Sequence, residues 1–267
     1  MNKTALFTLL ALACTSAHAH RVWVSTNHTH GGDILKTELG YGEFPHAEPI
    51  VADRLHIFSK PMQLISGKNR QNLVQKGEHN YQYQSAKPVA EGSYLVTAEY
   101  QPTFWSKNAA GWQKTDMTKM TDATYCEQTR MYGKNIVNVG HDSADTAPII
   151  QPVGQMLEIV PLDNPANVQV GQRFKVKVLF KGEPLAGATL TATFDGFDSA
   201  DHSKTHKVEA QAFSDTTAAD GTVSIIPLRQ GFWKANVEHK ADYPDQKVCQ
   251  KLANYSTLTF EIGHGHH

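Results

Sequence analysis

Three histidines near the start of the chain, His20, His28 and His30, have the types and spacing to do chemistry. His28 and His30 are one residue apart. On an extended chain positions i and i+2 face the same side, so both imidazoles would reach one ion. His20 follows Ala17-His18-Ala19, the small-x-small pattern that signal peptidase reads. Cleavage after Ala19 makes His20 the first residue, and its free α-amine and imidazole Nδ1 then close one chelate ring on a metal. The α-amine has a reference pKa of about 7.7–8.0, so an ion displaces its proton near neutral pH. With His28 and His30 added, the set offers four nitrogens. Such a set suits Ni(II), Co(II), Cu(II) or Zn(II) rather than Mg or Ca. Cleavage after Ala17 would begin the chain His18-Ala19-His20, whose third-position histidine makes a square-planar site for Cu(II) or Ni(II).

The elements that must carry these residues begin with an export signal. Lys3 and the apolar run Ala5 to Ala13 complete a leader over residues 1–19. That run is too short to span a bilayer. Cys14 as a lipoprotein site is the weaker reading, because Ala11 stands where leucine is usual. The chain has 267 residues, with 25 Lys and Arg against 26 Asp and Glu. No basic run appears, so nucleic acid is set aside. No second apolar stretch is long enough to span a membrane. Without Cys14, Cys126 and Cys249 are the only cysteines. In an oxidising compartment such a pair reads as a disulfide. It would close a loop of ~120 residues, worth roughly 4–5 kcal/mol in the chain-entropy model. A thiolate metal site is the lesser alternative.

Helical periodicity is almost absent. Short runs rich in Val, Ile, Tyr, Phe and Thr alternate with Gly, Pro, Asn and Asp clusters, an all-β pattern. Expected strands in the first half are Arg21 to Val24, Ile34 to Leu39, Arg54 to Phe58, Asn80 to Tyr83, Ser93 to Tyr100 and Asn135 to Val139. Phe104 to Met120 reads as a loop or hairpin, and Asp122 to Met131 as the one short helix. The broken stretch His141 to Pro152 is placed at a domain boundary. Beyond it, Leu157 to Pro161 and the strictly alternating Phe174 to Phe180 open about seven strands in ~110 residues, the pattern of an immunoglobulin-like sandwich. The expectation is an all-β chain of two sandwich domains, residues 20–150 and 151–262, with a His-rich tail at 263–267.

Several of these segments also resemble a known family. His20-x-x-Trp23, Gly40-Tyr41-Gly42-Glu43-Phe44-Pro45 and Tyr132-Gly133-Lys134 before Val137-x-Val139-Gly140 carry the likeness in the first half. Leu157 to Pro161, Gly182-x-Pro184-Leu185-x-Gly187-Ala188, Thr217 to Gly221 and Gly231-Phe232-Trp233 carry it in the second. The resemblance is to an exported bacterial domain family whose members are known as periplasmic components of cobalt or nickel transport. It implies a periplasmic protein that binds Ni or Co and works beside an inner-membrane metal transporter.

Other polar clusters read as ordinary surface. Glu43, His46 and Glu48 form an exposed loop more readily than a ligand set. His56 and His79 read as solvated, and His141-Asp142 with Asp145 as linker. His202 and His206 fall on a hairpin tip, and Asp195 and Asp198 belong to a turn. His264, His266 and His267 bind metal as any short His tract does. There is no Gly-x-Ser-x-Gly, no His-Glu-x-x-His and no phosphate-binding glycine loop, so a binding protein is expected rather than an enzyme. The expected ligands are His20, His28 and His30, for Ni or Co, with Cu or Zn open. An Ig-like module that binds a protein or polysaccharide without metal is the alternative. A copper oxidase with a histidine brace is the lesser one.

Overall fold

A computed structural model of the chain describes residues 20–48, 60–77, 81–140, 144–198 and 209–263. In chain order the strands are β1 (Arg21–Thr26), β2 (Lys36–Glu43), β3 (His46–Ala47), β4 (Gln63–Ser66), β5 (Asn69–Asn72), β6 (Val74–Lys76), β7 (Gln82–Gln84), β8 (Gly92–Asn108) and β9 (Gly111–Gln113). They continue with β10 (Tyr125–Val139), β11 (Leu157–Pro161), β12 (Phe174–Phe180), β13 (Glu183–Pro184), β14 (Thr189–Phe194), β15 (Phe213–Thr216), β16 (Thr222–Ile225), β17 (Gly231–Asp242) and β18 (Lys251–Ile262). Among the described residues no helix is long and apolar enough to cross a membrane. The expected strand Arg54 to Phe58, with His56, lies outside the described residues.

The strands form three sheets. A nine-stranded sheet runs β15-β14-β17-β18-β10-β8-β4-β5, with β9 paired to β8. One outer sheet is β1-β2-β7-β6, with β3 on β2; the other is β11-β12-β13, with β16 on β12. Side chains alternate across a strand, and β18 shows what that does here. Its Leu258, Phe260 and Ile262 join Phe174, Val176 and Val178 of β12 in one core. Ala253 and Tyr255 join Val22 and Val24 of β1 in the other. The two outer sheets therefore cover opposite faces of the long central sheet. Strands from both sides of the expected boundary share that central sheet, through the parallel pairing of β10 with β18 (Glu127↔Lys251 to Asn135↔Thr259).

The helix expected over Asp122 to Met131 is instead the start of β10. That strand is paired on both sides, by β8 and β18, and buried on both faces. A strand of that kind loses the alternation that marks a half-exposed one. β1 lies close against the central sheet because Gly133 on β10 has no side chain. A Cβ there would stand 3.1 Å from Val24 Cγ2 and 3.4 Å from Val22 Cγ1. The hydroxyls of Thr257 and Thr259 donate to the carbonyls of Val22 (2.7 Å) and Val24, so β1 is pinned at two points.

A buried ion pair joins the central sheet to the second outer sheet. Lys134 on β10 donates to Glu158 Oε1 on β11 at 2.6 Å and to the Ile159 carbonyl at 2.9 Å. Glu158 also accepts from the backbone N–H groups of Val153 (2.7 Å) and Gly154 (3.0 Å). Burial pushes the lysine below its usual range, and the carboxylate works against that shift. At the end of the parallel pair, Cys126 and Cys249 form a disulfide, with Cα atoms 5.0 Å apart and 123 residues of separation.

Two stability changes follow. Glu158→Ala strands a buried ammonium and should cost about 3–5 kcal/mol. Lys134→Met with Glu158→Gln should recover part of that, since the amide oxygen still accepts a backbone N–H; urea midpoints measure both. Reducing the disulfide, or Cys126→Ser with Cys249→Ser, should remove up to roughly 4–5 kcal/mol in the chain-entropy model, seen as a lower midpoint with thiol reductant.

Candidate functional site

His20 stands one residue before β1, and the β1–β2 register (Arg21↔Gly42) sets it abreast of Glu43. A tight β2–β3 hairpin, with Glu43↔His46 and Gly42↔Ala47, returns the chain. The Phe44–Pro45 bond at its tip is cis. After the hairpin, the Glu48 N–H donates to the Tyr41 carbonyl at 2.7 Å. That contact brings the Glu48 carboxylate back to His20, whose Nε2 lies 3.0 Å from Glu48 Oε1. The Tyr41 ring packs against the imidazole with centroids 5.2 Å apart. Gly42 has φ 127°, and a Cβ there would meet Glu48 Cγ at 3.0 Å. Glycine thus gives both the backbone angle and the room for Glu48.

The hairpin is held from below by aromatic and charged side chains. Phe44 packs edge-on against Trp23, with ring centres 5.7 Å apart, and lies tilted against Phe232 at 5.6 Å. Its N–H donates to Glu209 Oε2 at 3.0 Å. The same carboxylate oxygen takes the ammonium of the fully buried Lys234 at 2.6 Å. That ammonium lies 5.2 Å from the Phe44 ring centre and 5.6 Å from that of Trp23. Burial lowers the Lys234 pKa and Glu209 opposes the shift. Beside His20, Arg21 bonds Asn236 and Glu238, each at 3.1 Å, and stacks 4.1 Å over Tyr255. His20 therefore sits at the end of an anchored strand, half-exposed.

His28 and His30 lie past the other end of β1. Their rings pack edge to face, with centroids 4.7 Å apart, so the i, i+2 reading brings these two together. It does not bring them to His20. The six residues of β1, which lie between the pair and His20, span roughly 20 Å at about 3.3 Å per residue. The four-nitrogen set expected from the sequence is thus divided into two stations, because a six-residue strand lies between its parts. Among the described residues no three His, Cys, Asp or Glu side chains converge to hold an ion.

The remaining candidates divide. His46 is exposed on β3, and Glu43 is half-buried near Lys234. His79, His141, Asp142, His202, His206 and the histidines of the tail lie outside the described residues. Glu48, expected in an exposed loop, is half-buried and stands beside His20 through the cross-strand return of the hairpin. The one signal for it was its place just past Gly40-Tyr41-Gly42-Glu43-Phe44-Pro45.

Comparison with known proteins gives a family. The model of a domain of unknown function (DUF4198) matches residues 17–241. No curated protein matches. Among solved structures, the D0-D1 domain of intimin is similar over 90% of this chain and 97% of its own, at 12% identity and TM-score 0.24. An Escherichia coli alpha-2-macroglobulin activated by porcine elastase is similar over 90% of this chain and 23% of its own, at 11% identity and TM-score 0.21. Likenesses this slight carry no weight for function.

The hairpin depends on close contact between Trp23 and Gly40, its partner across the strands. A Cβ on Gly40 would fall 2.0 Å from Trp23 Cε2. Gly40→Ala should therefore displace the indole and cost about 1–3 kcal/mol, read as a lower urea midpoint with altered tryptophan fluorescence.

Proposed function

The chain belongs to the DUF4198 family, and from that premise we propose that it is an exported periplasmic protein that binds a transition-metal ion through His20 and passes it on. The observation that carries the reading is the contact of His20 Nε2 with Glu48. A carboxylate on Nε2 fixes the ring and its tautomer. That leaves Nδ1, the nitrogen that closes a chelate with the α-amine once the leader is cut after Ala19.

Two nitrogens from one residue leave most of the coordination sphere to solvent or to a partner. Structural ions are closed in by four protein ligands; an ion to be handed over is better held by few. Ni(II) or Co(II) as cargo, with a membrane transporter as recipient, is the reading that the likeness to cobalt and nickel transport components adds. Cu(II) and Zn(II) suit the same nitrogens. Binding rather than catalysis is the proposed role.

Calorimetry with Ni(II), Co(II), Cu(II) and Zn(II) tests this on two forms of the protein. One begins at His20; the other carries a single glycine before it. Histidines elsewhere are common to both, so any difference reports the first residue. The extension should remove the tightest site, and Glu48→Gln should weaken it about 10–100-fold. Equal binding by the two forms overturns the assignment and leaves the layered sheets as an interaction module that needs no metal.

A further inference from the structure

We propose that His28 and His30 form a second metal site, independent of His20, that binds one borderline divalent ion between two imidazoles. Both residues are exposed, while Thr29 between them is buried. The loop thus turns the threonine hydroxyl inward and leaves both rings exposed.

The loop that carries them is fixed on several sides. Thr29 Oγ1 donates to the Asn27 carbonyl at 2.9 Å, and the Gly140 N–H donates to the Thr29 carbonyl at 3.1 Å. Gly32 N–H reaches the Val89 carbonyl at 2.8 Å, and Val89 N–H reaches the Asp33 carbonyl at 2.9 Å. Glu91 lies against the loop so closely that a Cβ on Gly31 would fall 2.4 Å from its Cγ. The loop conformation is therefore set before any ion arrives, so little ordering is left for binding to impose.

The ring separation fits a shared ion. With metal–nitrogen bonds of about 2.0–2.1 Å, an ion bound to one nitrogen of each ring stands about 3.2 Å from each ring centre. Centroids 4.7 Å apart then subtend about 95° at the ion, between square-planar and tetrahedral angles. The rings are edge to face, so the chelate requires them to turn about their own Cβ–Cγ bonds. Two neutral imidazoles select Zn(II), Cu(II) or Ni(II) over hard cations.

The test is NMR of the histidine ring nitrogens in the protein beginning at His20, with His264→Ser, His266→Ser and His267→Ser to silence the tail, titrated with Zn(II). The His28 and His30 rings should respond together at one zinc concentration. They should do so equally with His20→Ala, which removes the other station and so separates the two readings. His28→Ala should weaken the His30 response at least tenfold. Rings that stay unmoved at saturating zinc, or a His30 response indifferent to His28→Ala, overturn the proposal.

Discussion

The pairing of Lys134 with Glu158 is the interaction on which the layered arrangement rests. A lone buried ammonium or carboxylate is heavily disfavoured. These two are tolerable only together, with the carbonyl of Ile159 and the N–H groups of Val153 and Gly154 in place. One partner comes from the central sheet and the other from the strand that opens the second half of the chain. The register between those layers is thereby fixed more narrowly than apolar contact alone would fix it. Lys234 plays the matching part on the opposite face, where Glu209 and the rings of Trp23 and Phe44 receive it. Each face of the central sheet thus holds one buried ammonium, and each outer layer meets it.

The second of these arrangements bears on the candidate site. The Phe44 backbone and the Lys234 ammonium share one carboxylate oxygen, so the hairpin that returns Glu48 to His20 is anchored in the central sheet. Position at the site is inherited from packing some distance below it. His20 itself needs little freedom, because Arg21 is held by Asn236, Glu238 and the Tyr255 ring. An ion binding there would meet a ring already oriented.

Much of the fold was legible in the sequence wherever a strand has one wet face. Phe174 to Phe180 alternates because it lies in an outer sheet, and its bounds were read correctly. The start of β10 was not legible, since neighbours on both sides and layers on both faces erase the period. Its partnership with β18 joins residues more than a hundred positions apart, which no local pattern reports. At the site, the closeness of His28 to His30 followed from the pleat. Their distance from His20 did not, because it depends on how far β1 runs before the chain turns. Glu48 was hidden for a related reason: its contact is made across strands, by the return of a hairpin whose partners a linear reading does not supply.

The placement of β18 has a consequence for how such a chain can be made. The last of the described strands in chain order occupies the middle of the largest sheet, between β10 and β17. Until it arrives, β10 has an open edge and the carbonyls of Val22 and Val24 lack their threonine donors. Contacts this distant in sequence form slowly. The opening segment must therefore wait, partly unsheltered, for the closing one. β1 and β10 reach their final setting only once β18, more than a hundred residues further along, has taken its place beside them.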